Sequence, residues 1–427
     1  MAMMKSSNTE WLGDIPAEWD VAQIGNYYEL RNEKVSDYDF EPLSVTMKGI
    51  VPQLATAAKS DDHSNRKLVK KGDFVINSRS DRRGSCGISP LNGSVSLINI
   101  VMEPRGEMNP QYYNWLFHTE QFADEFYKWG HGIVDDLWTT RWQEMKKILI
   151  VAPSPDEQQA IADYLDETCS KIDEIIAEAK ASIDEYKELK QAVIFDGISL
   201  GTRKCCDYKR TTLKGIEKIP IEWEYRKLKF LIRYIESGVS VNAGNEPATE
   251  LEYGVLKTSC VSKMIFLPSE NKSVNKDEYD RVKCPVCGDT IIVSRMNTPD
   301  LVGACAYIEK NIDNIFLPDR LWQVHFNDNV NVKYIYYCLI SPYIRNYYSS
   351  LSTGTSSSMQ NISQGQFTNA IIPYPPLEEQ KEIVDFLDKR TKEIDSLIAE
   401  KQSLIADLEA YKKSLIYEVV TGKRRVV

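Results

Sequence analysis

The chain has 427 residues, of which 42% are hydrophobic, 27% charged and 10% aromatic, a composition that excludes bulk disorder and a collagen-like fibre. No run approaches the roughly 20 consecutive apolar residues that span a bilayer, the N-terminal MAMMKSSNTEWLGD lacks the apolar stretch of a secretion signal, and nine cysteines without such a signal read as reduced thiols of a cytoplasmic protein. The net charge of −10 is localised: residues 153–196 hold 12 acidic and 4 basic side chains, residues 375–427 hold 11 and 10, and the remainder is near neutral at 39 acidic and 38 basic, which leaves room for local basic patches at 66–83 and 203–233.

In chain order, the first marked segment is Ile15-Pro16-Ala17-Glu18-Trp19. Residues 74–78 and 95–102 read as short buried strands. The first follows Gly72-Asp73 and runs into Asn77-Ser78-Arg79 and a polar, glycine-bearing loop, Ser80-Asp81-Arg82-Arg83-Gly84. Residues 111–128 read as an aromatic-rich helix whose rings face a core. A second polar loop, 131–138, begins at His131 and Gly132, and a strand is expected over 148–151.

Pro153, Ser154 and Pro155 then break the chain, and Asp156-Glu157 suits a first helical turn. Apolar residues follow at Ile161, Leu165, Ile172, Ile176, Ala179, Ile183, Tyr186 and Val193, with neither Pro nor Gly before Gly197. The steps of three and four describe a coiled-coil seam rather than a broad amphipathic stripe. A run of about 40 residues makes a helix about 60 Å long at 1.5 Å per residue.

The second half repeats the first. Ile219-Pro220-Ile221-Glu222-Trp223 matches the opening segment. Gly288-Asp289 leads a strand over 290–294 into Ser294-Arg295 and the loop Met296-Asn297-Thr298-Pro299-Asp300. An aromatic helix is expected over 332–348, a polar loop over 353–361 around Gly354, and a strand over 370–372. From Pro375 to Ile416 the sequence repeats 153–194 at a constant shift of 222, with seam residues Ile383, Leu387, Ile394, Ile398, Ile405, Leu408, Tyr411 and Leu415, and no Gly before Gly422. A period near 200 residues is a duplicated arm, not a solenoid. The fold expected is α+β: two mixed α/β globular domains and a long two-helix coiled coil whose helices run antiparallel about a pseudo-two-fold axis.

Arg, Asn, Gln, Ser and Thr on loops beside a rigid strand suit hydrogen bonding to base edges and phosphates. Turn chemistry explains any one such loop. Their recurrence at equivalent places makes Asn77, Ser78, Arg79, Arg82, Arg83 and His131 the candidates in the first arm, and Ser294, Arg295, Asn297, Thr355, Gln360 and Asn361 those in the second. Catalytic patterns are missing. There is no GxxxxGK[ST], GxSxG or HExxH, and only four histidines. Cys284-Pro285-Val286-Cys287 has zinc-knuckle spacing, but a structural site needs four ligands, and Cys205-Cys206 is the wrong partner. No metal site is expected.

The chain resembles the specificity (S) subunits of type I restriction-modification enzymes. The resemblance rests on Trp11 with Ile15–Trp19, repeated at Ile219–Trp223, and on Pro153-Ser154-Pro155-Asp156-Glu157-Gln158 with Ile161 and Leu165-Asp166, repeated at Pro375-Pro376-Leu377-Glu378-Glu379-Gln380 with Ile383 and Leu387-Asp388. It implies target recognition domains at 1–152 and 204–374, each reading one half of a split, asymmetric double-stranded DNA site, and helical spacers at 153–203 and 375–427. It implies no catalysis by this chain. Two modification subunits would supply S-adenosylmethionine and adenine N6 methylation, and restriction subunits the ATP, Mg and cleavage. Acidic residues off the seam, Asp163, Asp166, Glu167, Asp385 and Asp388, are then the candidates for docking those subunits. Two other readings stand beside it: an enzyme whose site carries no recognised motif, and a two-module interaction scaffold that does not bind DNA.

Overall fold

The computed structural model describes residues 3–56, 63–132, 138–202, 207–213, 215–351, 353–356 and 359–426. It divides into two compact units, Met1–Lys180 with Gln402–Val427, and Ala181–Lys401. The divisions fall within two long helices, Pro155–Leu200 and Leu377–Val420, of 46 and 44 residues. Among the described residues no helix is long and apolar enough to cross a membrane.

Unit 1 is built on a four-stranded antiparallel sheet in the order Cys86–Ile88, Phe74–Asn77, Asn99–Pro104, Tyr28–Leu30. Its inner face carries Phe74, Ile76, Ile100 and Met102, which pack on Tyr113, Phe117, Phe122 and Phe126 from two helices, Pro110–Phe117 and Glu120–Lys128. Val75 and Val101 face the other way, into a smaller core with Leu43, Ile50, Val69 and Val95. That core seats a three-stranded sheet (Gly93–Val95, Arg66–Val69, Lys34–Val35) and a hairpin of Leu43–Thr46 with Gly49–Pro52. Two buried faces explain why the Phe74–Asn77 strand is a continuous apolar run and not an alternating one.

Unit 2 repeats the first sheet as Ile232–Glu236, Leu321–Phe326, Thr290–Ser294, Cys305–Ile308. It differs in the second layer, a four-stranded sheet in which Gly254–Leu256 lies parallel to Ile312–Phe316. In each unit the strand after the Trp motif pairs antiparallel with the strand that leads into a long helix: Asp20–Gln23 with Leu149–Ala152, and Glu224–Lys227 with Ile371–Tyr374.

Three expected elements are subdivided. The 95–102 strand is two, Gly93–Val95 and Asn99–Pro104, because Asn99 turns the chain by bonding Ser96 O through both its backbone N–H and its side-chain Nδ2. The 111–128 helix breaks at His118, where Thr119 Oγ1 caps a new helix by accepting from Phe122 N at 3.2 Å. The 332–348 helix breaks between Val332–Ile340 and Pro342–Leu351, since Pro342 has no N–H to continue it and Ser341 is extended.

Within each unit the long helices run antiparallel. In unit 1, Lys412 Nζ lies 2.6 and 2.7 Å from the two carboxylate oxygens of Asp173. In unit 2, Lys190 Nζ lies 2.7 Å from both oxygens of Asp395. The two pairs exchange under the 222-residue repeat: Asp173 corresponds to Asp395, and Lys190 to Lys412. Their lysines are only 24% and 23% exposed, so each stem lies along the seam with its charge at the rim. Lys412 takes the place expected of Tyr411, which is 46% exposed and accepts from Arg424 Nη1 instead. Gly197 does not end the first helix. A Cβ there would stand 2.9 Å from Leu387 Cδ2, so glycine permits the close helix approach. The helices end at Gly201 (φ +74°) and Gly422 (φ +73°), each in the left-handed cap conformation.

A polar pair on an otherwise apolar seam fixes alignment. Reversing one charge, Lys190→Asp, is expected to cost roughly 1 kcal/mol, and adding Asp395→Lys to return most of it. A urea-unfolding double-mutant cycle with no coupling would remove this role.

Candidate nucleic-acid interface

In unit 1 the candidate loop closes tightly on its strand. Asn77 N donates to Ser85 O (2.9 Å), and Asn77 Oδ1 accepts from Arg79 N (3.1 Å). Tyr127 OH, from the second aromatic helix, donates to Asn77 O (3.2 Å) and Arg82 O (3.4 Å). The later loop, remote in sequence, is bonded to the first one. Ser80 N donates to Trp138 O (3.0 Å), Trp138 N to Ser80 Oγ (3.1 Å) and Thr140 N to Ser78 O (3.0 Å), while His131 and Thr139 exchange both backbone bonds at 3.1 Å. Residues 133–137 of that loop lie outside the described residues.

Unit 2 joins its two loops in the same way, with strands. Met296–Asn297 pairs antiparallel with Met359–Asn361, setting Met296 opposite Asn361 and Asn297 opposite Gln360, and Met359–Asn361 pairs with Thr353–Ser356, which contains Thr355. Ile362 N donates to Arg295 O at 3.1 Å. Residues 352 and 357–358 lie outside the described residues.

The side chains sort into two groups. Arg82 is the most exposed of the candidate arginines, 68% at the side chain and 3.9 Å from Asp81; Arg79 is held by Asp81 at 2.9 Å, and Arg83 by Asp124. His131 and Asn361 are exposed, Asn297 and Gln360 half-buried. Arg295 has its Nε buried without a hydrogen-bond partner. Ser78 and Ser294 do not belong with these. Both are buried, at 2% and 0% exposure, and their hydroxyls donate to Ile98 O and Met296 O, which closes the strand ends and keeps both side chains off the surface. The basic patch at 66–83 is also smaller than its sequence suggests. Arg66 is buried with its Nε on Ser94 Oγ (2.8 Å), Lys67 Nζ reaches Asn99 O (2.6 Å), and burial lowers the pKa of both.

The repeated motifs turn out to be joints inside each unit. Trp19 and Trp223 are buried, and Trp19 Nε1 donates to Glu157 Oε2 at 2.8 Å. Gln158 and Gln380 are fully buried at the starts of the long helices. Gln158 Oε1 accepts from Asn109 N (2.8 Å) while its Nε2 donates to Pro153 O (2.8 Å); Gln380 does the same with Asn331 N (3.1 Å) and Pro375 O (2.9 Å). Asn109 and Asn331 in turn cap the first aromatic helices.

Two candidates for subunit docking, the exposed Asp166 and the half-buried Asp388, also bond within their units. Asp166 Oδ1 accepts from Gln111 Nε2 (3.0 Å) and Trp115 Nε1 (2.8 Å). Asp388 accepts from Lys333 Nζ and Tyr337 OH, both at 2.6 Å. All three positions correspond at the shift of 222, so Asp166 and Asp388 recur because each ties an aromatic helix to a long helix. Asp163 is exposed and accepts from Gln159 Nε2 (2.7 Å), Glu167 pairs with Lys171 at 2.5 Å, and Asp385 is exposed. Asp163 and Asp166 line a surface cleft of about 560 Å³ with Asn109 and Gln111. Cys284 is buried and Cys287 half-buried; among the described residues no three His, Cys, Asp or Glu side chains are grouped to hold a metal.

Two units of one design, each joining a strand-end loop to a distant polar loop and each holding part of an antiparallel helix pair, make a duplicated protein. The comparisons with known proteins agree. Residues 220–406 match the family model described as Type I restriction modification DNA specificity domain. The specificity subunit of the Methanocaldococcus jannaschii type I restriction enzyme MjaVIII is 26% identical over 96% of this chain and 94% of its own length. The Escherichia coli EcoEI specificity subunit is 28% identical over 188 residues, 44% of this chain; the match spans about a third, 32%, of that subunit. Among solved structures, a chain of a type I R-M system studied for complex assembly and conformational transition superposes with a TM-score of 0.70 at 14% identity, covering 96% of this chain and 99% of that one. The HsdS subunit from Thermoanaerobacter tengcongensis gives 0.52 at 16% identity, covering 96% and 98%. Residues 220–406 thus match a DNA specificity domain of type I restriction-modification systems, and the chain is similar along nearly its whole length to a specificity subunit of such a system.

Proposed function

We propose that this chain is the DNA-reading component of a type I restriction-modification complex, with residues 1–152 and 204–374 as its two target recognition domains, each reading one half of a split, asymmetric site. Residues 153–203 and 375–427 serve as the spacer, though Arg203 itself lies outside the described residues. The observation that carries this reading is the same in both units: a polar loop at the end of the central strand is bonded to a second polar loop remote in sequence, bringing Arg79, Arg82 and His131 together in one and Arg295, Asn297, Gln360 and Asn361 in the other. Two loops on a rigid sheet suit readout of a short run of base edges, and differing loops on one scaffold suit different half-sites.

Assembly is with methyltransferase and restriction subunits in the cytoplasm. One modification subunit on each unit, two per chain, fits the duplication. S-adenosylmethionine, ATP and Mg belong to those partners. Mapping N6-methyladenine in DNA from cells that carry this chain with its modification partner is the direct test. A two-part motif with a fixed gap is expected. Methylation without any sequence preference, or methylation by the purified chain alone, would overturn the reading.

A further inference from the structure

The hairpin of Leu43–Thr46 with Gly49–Pro52 turns on two residues, whereas the corresponding antiparallel pair of unit 2, Gly254–Leu256 with Asn271–Ser273, is joined by the longer connection 257–270. Leu43, Val45 and Ile50 anchor it in the smaller core of unit 1. Its approach is fixed by glycine against glycine: a Cβ on Gly87 would stand 3.0 Å from Gly49 Cα. The two-residue turn is closed by Thr46, whose hydroxyl donates to Gly49 O (2.8 Å) and accepts from Lys48 N (3.1 Å). The tip is therefore held and not loose, yet it presents Met47 at 72% exposure, with Lys48 exposed beside it. A large apolar side chain at a fixed, solvent-facing turn contributes nothing to the core.

The tip sits against the candidate loop. Met47 Cε is 3.9 Å from where a Cβ of Gly84 would be, and a cleft of about 580 Å³ runs between hairpin and loop, lined by Ser44, Thr46 and Met47 on one side and Asn77, Arg82 and Arg83 on the other. Among the described residues Asp81 is the only acid lining it. Arg82 and Arg83 in the cleft, with Lys48 exposed at the turn beside Met47, carry the sign that suits a polyanion.

We propose that this hairpin is a second DNA-contacting element of unit 1, with Lys48 on a backbone phosphate and Met47 in apolar contact with a deoxyribose or a thymine methyl group. The proposal rests on the DNA-reading function above and adds to it a specificity-determining pair. A phosphate contact adds affinity without sequence information, whereas an apolar contact with thymine adds preference. Because the corresponding strands of unit 2 are joined by residues 257–270 and not by this two-residue tip, the effect belongs to one half-site.

The test uses the assembled complex of this chain with its modification subunit and a labelled duplex carrying the mapped site. Lys48→Ala is expected to weaken binding several-fold on cognate and altered duplexes alike, and to lower the salt slope by about one. Met47→Asp is expected to weaken cognate binding about tenfold and to change base tolerance in the unit 1 half-site alone. Both residues are exposed, and unchanged melting verifies the fold. If both variants bind like the parent while Arg82→Ala does not, the hairpin is no contact and the proposal is overturned, with the DNA reading intact. If the parent complex shows no sequence preference, the DNA reading itself falls.

Discussion

Inserting one heptad after Lys180 and one after Lys401 is expected to lengthen the gap of the methylated DNA site while leaving both half-sites unchanged. The insertion points are the boundaries between the two compact units. They leave the Lys412–Asp173 pair and the Lys180–Glu409 contact (3.8 Å) within unit 1, and the Lys190–Asp395 pair within unit 2. Seven residues restore the seam, whereas a single residue would rotate it by about 100° and unpair it. One heptad adds about 10 Å of helix, the rise of about 3 base pairs. Each added base pair also turns the second half-site about the duplex by about 35°, so weaker binding accompanies the new gap. Methylation mapping reads the result directly. The original gap at full activity would show that the helices are a docking platform and not a ruler.

The second large effect concerns Arg82. Its guanidinium is the least restrained among the candidates, with Asp81 no closer than 3.9 Å. Loss of a bidentate base contact costs about 1–3 kcal/mol, or about 5- to 150-fold. Arg82→Ala should therefore relax the unit 1 half-site by that factor and leave the other half-site as it was. Asn297→Ala, in the unit 2 loop, is the reciprocal measurement and should relax only the second half-site. Competition binding with duplexes altered in one half at a time separates the cases. Equal weakening on every sequence would make Arg82 a phosphate contact, and no change would leave it a surface charge.

The repeat and the long helices were legible because their signals are local and periodic: a constant shift of 222, and steps of three and four between apolar residues. The candidate loops were legible because they follow matching Gly-Asp strands. What was not legible depends on the partner across space. Ser78 and Ser294 look like ligand groups beside an arginine, but a short hydroxyl at a strand end finds a backbone carbonyl first. The bonds that Asp166 and Asp388 make within their units are invisible in the sequence because only the folded unit brings Trp115 and Tyr337 to them. Tyr411 fits the seam by hydrophobicity, yet Lys412 lies across from Asp173 and takes its place. The hairpin at 43–52 did have a signal, two β-prone runs around a two-residue turn, but Met-Lys is not a usual hairpin turn, and its Thr46 closure is a side-chain effect.

The reciprocal lysine–aspartate pairs have a kinetic side. Each long helix carries both an aspartate and a lysine, at the same spacing, so the Pro155–Leu200 helix is complementary to an antiparallel copy of itself as well as to Leu377–Val420. During synthesis it emerges well before its proper mate, with its seam uncovered. At roughly 5–20 residues per second, the wait for the second helix is on the order of ten seconds or more. Through that interval the helix matches its equivalent on any neighbouring nascent chain. What returns it to its own partner is tethering, which turns the correct pairing into an intramolecular event at high effective concentration. The same symmetry that aligns the finished spacer makes crowded synthesis the moment when two chains become entangled.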